Sequence, residues 1–204
     1  MKDKKQKNSR ESLRKMTQIG MLSAIAAILM LLQFPLPFVP PFYQFDFSEV
    51  PVLIGSFALG PLAGVIIQLV KVLLFMITGT SSAFGVGELA NFLIGCALVV
   101  PAGFIYKYNK TQKGAILGMV VGVVSMTVIG SLLNAFFLLP FFAWAFEMPM
   151  DVLIGMGTAV NAHIINLPTF VAFAVAPFNL FKGLVVSIIV LLVYKRIRPI
   201  FRMR

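Results

Sequence analysis

The chain has 204 residues, 59% hydrophobic and 12% charged, with a net charge of +10 and a mean hydropathy of +0.96. Soluble domains average about 45–50% apolar and about 25% charged residues. A water-soluble core cannot absorb that excess, so lipid must solvate much of the surface. Cys96 is the single cysteine, which excludes an intrachain disulfide and a cysteine-cluster metal site.

At roughly 20 residues per span the length accommodates five to seven crossings in one membrane domain. The apolar pattern predicts helices over 17–34, 49–59, 62–78, 87–106, 114–139 and 170–194. The second is short, with Ser48 as N-cap and Pro51 tolerated in its first turn. Eleven or so residues cannot cross a core of about 30 Å unaided, so this helix is expected to tilt or to be completed by flanking loop residues. Gly60-Pro61 separates it from the third helix. Segments 1–16 and 195–204 read as basic ends flanking a membrane domain over 17–194.

Charge placement orients these helices. Basic residues gather at Lys2–Lys15, at Lys107, Lys110 and Lys113, and at Lys195–Arg204. Beyond Asp3 and Glu11, the acids are Asp46, Glu49, Glu88, Glu147 and Asp151. Alternating six helices from a cytoplasmic N-terminus puts every basic cluster inside, as the positive-inside rule requires. Both termini are then cytoplasmic, and the connections 35–48, 79–87 and 140–169 face outward. The first apolar run is too long for a signal peptide and no small-x-small cleavage site follows it. Topology and anionic lipid explain the basic ends without nucleic acid.

Polar residues inside spans are expensive and mark sites. Asn134, the helical-face pair Asn179 and Lys182, and the pair Glu88 and Asn91 all fall in the outer half of the expected bilayer. Aromatics surround them in sequence: Phe34, Phe38, Phe42, Tyr43 and Phe45 in the first connection, and Phe136, Phe137, Phe141, Phe142 and Trp144 after helix 5. Aromatic walls with a few placed polar groups suit a flat small molecule; the alternatives are interhelical bonding by the asparagines, snorkelling by Lys182, an interfacial aromatic belt, and pairing of Glu88 with Lys71 or Lys182. Lys71, with Gln68 one turn earlier, lies too deep to snorkel and requires a partner that the sequence does not identify. Small residues four apart mark close helix contacts: Gly114, Gly118 and Gly122 for internal packing, Gly60 and Gly64, and Gly20 with Ala24 and Ser23 with Ala27 for internal packing or another membrane subunit. There is no P-loop, no H-E-x-x-H and no Gly-x-Ser-x-Gly, and no internal repeat of the kind alternating-access carriers show. An enzyme is not expected.

Several strings resemble the riboflavin-specific S-component of energy-coupling factor (ECF) transporters. They are L-Q-F-P-L-P-F at Leu32–Phe38, D-F-S-E-V-P-V-L-I-G at Asp46–Gly55, L-G-P-L-A-G at Leu59–Gly64, L-N-A-F-F-L-L-P around Asn134 and A-P-F-N-L-F-K-G around Asn179 and Lys182. The resemblance implies an all-α bacterial plasma-membrane protein of six helices with an outward vitamin pocket. It implies no cofactor, riboflavin as transported ligand, and partnership with a transmembrane coupling subunit and two ABC-type ATPases. Asn134, Asn179 and Lys182 match residues that bind the isoalloxazine edge; Phe42 and Gln44 match the loop that closes over the ligand and touches its ribityl chain. Glu88 and Asn91 are expected near the pocket, and Gly20, Ser23, Ala24 and Ala27 at the coupling-subunit contact. A preference for flavin mononucleotide, thiamine or biotin, or a structural subunit that binds no ligand, are the competing expectations.

Overall fold

In the computed structural model, which describes residues 2–78 and 85–202, helices α1 (Lys2–Leu31), α2 (Glu49–Leu59), α3 (Pro61–Ile77), α4 (Val86–Tyr108) and α5 (Gln112–Leu133) come in chain order. A π turn at Asn134–Leu138 leads from α5 into α6 (Leu139–Ala145). Then come α7 (Met150–Thr158), α8 (Leu167–Phe170), a second π turn at Val171–Val175, and α9 (Ala176–Arg202). Among the described residues, four continuous helices are long and apolar enough to cross a membrane: Ser9–Leu31, Val86–Tyr108, Gln112–Ala145 and Leu167–Tyr194. At 1.5 Å per residue, α2 reaches about 16 Å and α3 about 25 Å, and both are shorter apolar helices.

Several boundaries differ from the sequence expectation, each for a local reason. The basic N-terminal segment is part of α1, which ends at Leu31 rather than 34. Beyond it Phe34–Pro35 (β1) pairs antiparallel with Gln44–Phe45 (β2), a hairpin in an otherwise helical chain. Prolines at 35, 37, 40 and 41 keep this connection out of helix. Ser48 precedes α2 in an αR conformation and its side chain does not cap it. The fifth helix continues past 139 to Ala145, and the last begins at Leu167, with the capping box of Asn166 and Thr169 closing its first turn. Part of the expected connection at 79–87 lies outside the described residues.

The two π turns share a cause. Each immediately precedes an X-Pro step, Leu139-Pro140 and Ala176-Pro177, and each is closed by a wide bond, from Leu139 N to Asn134 O and from Ala176 N to Val171 O. A proline ring clashes with the carbonyl four residues earlier in a regular helix. Widening one turn by a residue relieves the clash and lets the helix run on.

The main core joins Ala26, Val52, Leu53, Ile67, Leu98, Met119, Val186 and Val190 from α1–α5 and α9. A Cβ on Gly118 would stand 2.7 Å from Ala102 O, and one on Gly122 2.5 Å from Leu98 O. The glycine face of α5 therefore packs on the backbone of α4. Gly60, at φ 103°, makes the turn between α2 and α3, and a Cβ on Gly64 would meet Ser56 Cβ at 2.8 Å. Outward faces remain apolar: Leu62, Val124 and Leu192 are exposed, as lipid contact requires.

Candidate ligand-binding site

The first π turn, the N-terminal half of α4, the start of α9 and the first connection converge on one cleft. It offers an accessible volume of about 140 Å³ and opens to solvent. Phe42, Gln44, Asn91, Asn134, Asn179 and Lys182 all line it, as do Tyr43, Glu49, Phe142 and Phe178. Glu88, expected with them, is buried but does not line the cleft, and its Oε2 has no hydrogen-bond partner among the described residues.

The π turns position the two asparagines. Asn134 opens the first turn, and its Nδ2 donates to Gly130 O at 2.8 Å while its Oδ1 accepts from the Tyr43 hydroxyl at 2.7 Å. Asn179 Nδ2 donates to Val175 O, the last carbonyl of the second turn, at 3.0 Å. Gly130 makes room for Asn179, since a Cβ there would lie 2.9 Å from Asn179 Nδ2. Asn134, Asn179 and Lys182 therefore do not satisfy one another; each is held by a different partner while facing the common space.

Two buried ion pairs frame the cleft. Lys182 Nζ reaches Asp46 Oδ2 at 2.7 Å, and Asp46 Oδ1 accepts from Ser48 N at 2.7 Å. Burial alone would raise the Asp46 carboxyl, but the Lys182 and Lys71 ammonium groups, with hydrogen bonds from Lys182 and Ser48, outweigh it. The carboxyl is thereby held below its ordinary value. Lys71 finds the partner the sequence left open: Glu49 Oε1 at 2.8 Å, with Asn91 Oδ1 at 2.8 Å and Ser48 Oγ at 3.1 Å. The expected pairing of Glu88 with Lys71 or Lys182 is thus replaced by Glu49 and Asp46, which stand closer on the loop and first turn of α2. Ser48 serves Lys71 instead of the helix N-terminus.

The aromatic residues divide. Phe42 stacks on Phe142 and Phe170, with centroids at 5.4 and 6.3 Å, and Tyr43 meets Phe178 at 5.4 Å. Burial pushes the Tyr43 phenol above its ordinary range, so it is a neutral donor. Phe136 and Trp144 are instead strongly exposed, and Phe137, Phe141 and Trp144 stack on one another away from the cleft. The small-residue stripe of α1 also divides: Gly20 and Ala24 are exposed, whereas Ser23 and Ala27 are buried within the chain. Phe178, Asp46 and Glu49 were not picked out as site residues from sequence, although Asp46 and Glu49 stand three apart in D-F-S-E, a spacing that could have drawn attention.

The sequence model of the family described as ECF transporter, substrate-specific component, matches residues 14–194. The chain belongs to this family. It is 37% identical over 197 residues to the riboflavin transporter RibU of Staphylococcus aureus, covering 97% of this chain and 96% of that protein. It is 34% identical over 187 residues to the riboflavin transporter FmnP of Bacillus subtilis, covering 91% and 93%. Among solved structures, the S component of a bacterial ECF transporter superposes with a TM-score of 0.72 at 36% identity, over 94% of this chain and 99% of that one. As a member of this family, the chain is an integral membrane protein with the S-component fold, and its relatives are transport components rather than enzymes.

Proposed function

We propose that this chain is the riboflavin-binding subunit of an ECF transporter, capturing the vitamin in the cleft beneath the first connection. The observation that carries the reading is the convergence of Asn179, Lys182, Asn134 and Asn91 with Phe42, Tyr43, Phe142 and Phe178 on one cleft, in a chain with close riboflavin-transporter relatives. A pyrimidinedione edge alternates carbonyl acceptors with an N–H donor. Asn179 spends its Nδ2 on Val175 O and keeps Oδ1 as an acceptor; Lys182 spends one of three protons on Asp46. That set matches such an edge, and the aromatic side chains supply faces for the ring system.

The two cations lining or flanking the cleft are both matched by carboxylates. A neutral ligand therefore fits better than one carrying an unpaired phosphate. In this reading six segments cross the membrane, α2 and α3 being the short ones, with both termini cytoplasmic and the cleft outside. Residues 17–194 form the membrane domain between the basic ends. Gly20 and Ala24, exposed on α1, offer the close-approach face for a coupling subunit, while two ATPase subunits supply the hydrolysis. Uptake of labelled riboflavin by cells lacking their own system tests this. Uptake that requires both the chain and a coexpressed ECF module supports the reading; uptake unchanged by deleting the chain's gene refutes it.

A further inference from the structure

Asn91 is held from behind by a buried ammonium, which dictates its orientation. Its Oδ1 accepts from Lys71 Nζ at 2.8 Å and from Gln68 Nε2 at 3.3 Å, and its main-chain oxygen accepts from Gln68 Nε2 at 2.8 Å. An ammonium has no acceptor, so the atom facing Lys71 must be the amide oxygen, and the NH2 group must point the other way. Asn91 is half-buried and lines the cleft, and its Nδ2 makes no hydrogen bond among the described residues.

The support behind Asn91 is rigid. Lys71 and Gln68 are fully buried, and Gln68 Nε2 also reaches Glu49 Oε1 at 3.0 Å. Gly95 admits this network, since a Cβ there would collide with Gln68 Nε2 and lie 2.8 Å from Glu49 Oε1. Gln68 Oε1 and Glu49 Oε2 are buried without partners among the described residues. A network that leaves two acceptors unsatisfied while directing two donor nitrogens, Lys71 Nζ and Gln68 Nε2, at Asn91 and Glu49 is organised around presenting one amide in one orientation.

We propose that Asn91 contacts the ligand as a fixed hydrogen-bond donor to one of its acceptor oxygens, and that Lys71 is the positioning residue that holds it so. The proposal rests on the cleft being the riboflavin site and adds the polarity of one contact. Riboflavin offers acceptors both on the ring dione and on the ribityl hydroxyls. A donor-only group on the ligand at this point is rejected, because it would face the amide NH2.

The test uses the full-length chain purified in detergent, titrated with riboflavin and with lumiflavin, which has a methyl group in place of the ribityl chain. Asn91→Asp keeps an oxygen toward Lys71 and replaces the outward NH2 with a second oxygen. Riboflavin affinity should fall about 10- to 100-fold while the melting temperature is held. An equal loss for lumiflavin assigns the acceptor to the ring; a loss confined to riboflavin assigns it to the ribityl chain. Asn91→Leu, which bears no polar group, should weaken riboflavin similarly.

The paired variant Glu49→Gln with Lys71→Met removes both charges together. It should weaken riboflavin in the wild-type background and add nothing in the Asn91→Leu background, because Lys71 acts through Asn91. Equal added losses in both backgrounds would reduce Lys71 to a structural residue and overturn its positioning role. Riboflavin affinities within about twofold of wild type for both Asn91 variants would overturn the donor contact. Wild-type protein that binds no flavin would instead remove the riboflavin reading itself.

Discussion

Lys182 has two possible uses, ion pairing and ligand contact, and they respond differently to mutation. Its ammonium and the Asp46 carboxylate lie 2.7 Å apart with side-chain exposures of 6% and 2%. Removing one partner of such a pair strands a buried charge and costs about 3–5 kcal/mol, whereas removing both is often close to neutral. Asp46→Asn and Lys182→Met should each lower the melting temperature of detergent-solubilised protein, and the double variant should recover most of the loss. Riboflavin affinity should not recover, because the double variant still lacks the ammonium proton offered to the ligand. That loss amounts to about 1–3 kcal/mol, or roughly 5- to 150-fold in Kd. Thermal unfolding and fluorescence-quenching titration of the four proteins complete the cycle. A double variant that melts as low as the worse single, or that binds riboflavin like wild type, would show that Lys182 does not divide its ammonium between Asp46 and the ligand.

Three further outcomes follow from the same geometry. Tyr43→Phe removes the hydroxyl that occupies Asn134 Oδ1 at 2.7 Å; if Asn134 must exchange that bond for a ligand bond, stopped-flow association with riboflavin should be faster than in wild type, and an unchanged rate refutes the exchange. Gly118→Val drives a side chain into Ala102 O, 2.7 Å from the position of its Cβ, and should cost several kcal/mol, at least about 3, read as loss of monodisperse protein on size exclusion; normal yield and melting refute the close α4–α5 contact. Because Asp46 is held below its ordinary value of 3.8, its contribution is present in full above about pH 4 and is lost as pH falls through the lower folded value. Melting temperature followed against pH should therefore show a loss in wild type below about pH 4 that is absent from the Asp46→Asn, Lys182→Met double variant; equal acid sensitivity in both refutes the assignment.

The helices were legible in sequence because lipid-facing and core residues alike are apolar, and because Gly60-Pro61 and the basic clusters punctuate them. The short α2 runs over 49–59 as the pattern indicates. Helix ends were less legible at prolines. Pro140 reads as a terminator, yet a π turn absorbs it and the helix continues to Ala145. The hairpin of Phe34–Pro35 with Gln44–Phe45 spans two residues a side, too short for any alternation to register. Polar residues stood out through their cost in a membrane, which is why Asn134, Asn179 and Lys182 were visible. Their partners were not, since pairing Lys182 with Asp46 joins residues 136 apart, and no sequence spacing encodes that distance. Aromatic content alone could not separate Phe142, in the cleft wall, from Trp144, exposed two residues on.

The most direct test of the account is an equilibrium titration of the purified full-length chain with riboflavin, monitored by quenching of flavin fluorescence. One riboflavin should bind per chain, saturably, and neither thiamine nor biotin should displace it. Fluorescence that stays unquenched at stoichiometric protein, or binding that either competitor abolishes, would contradict it.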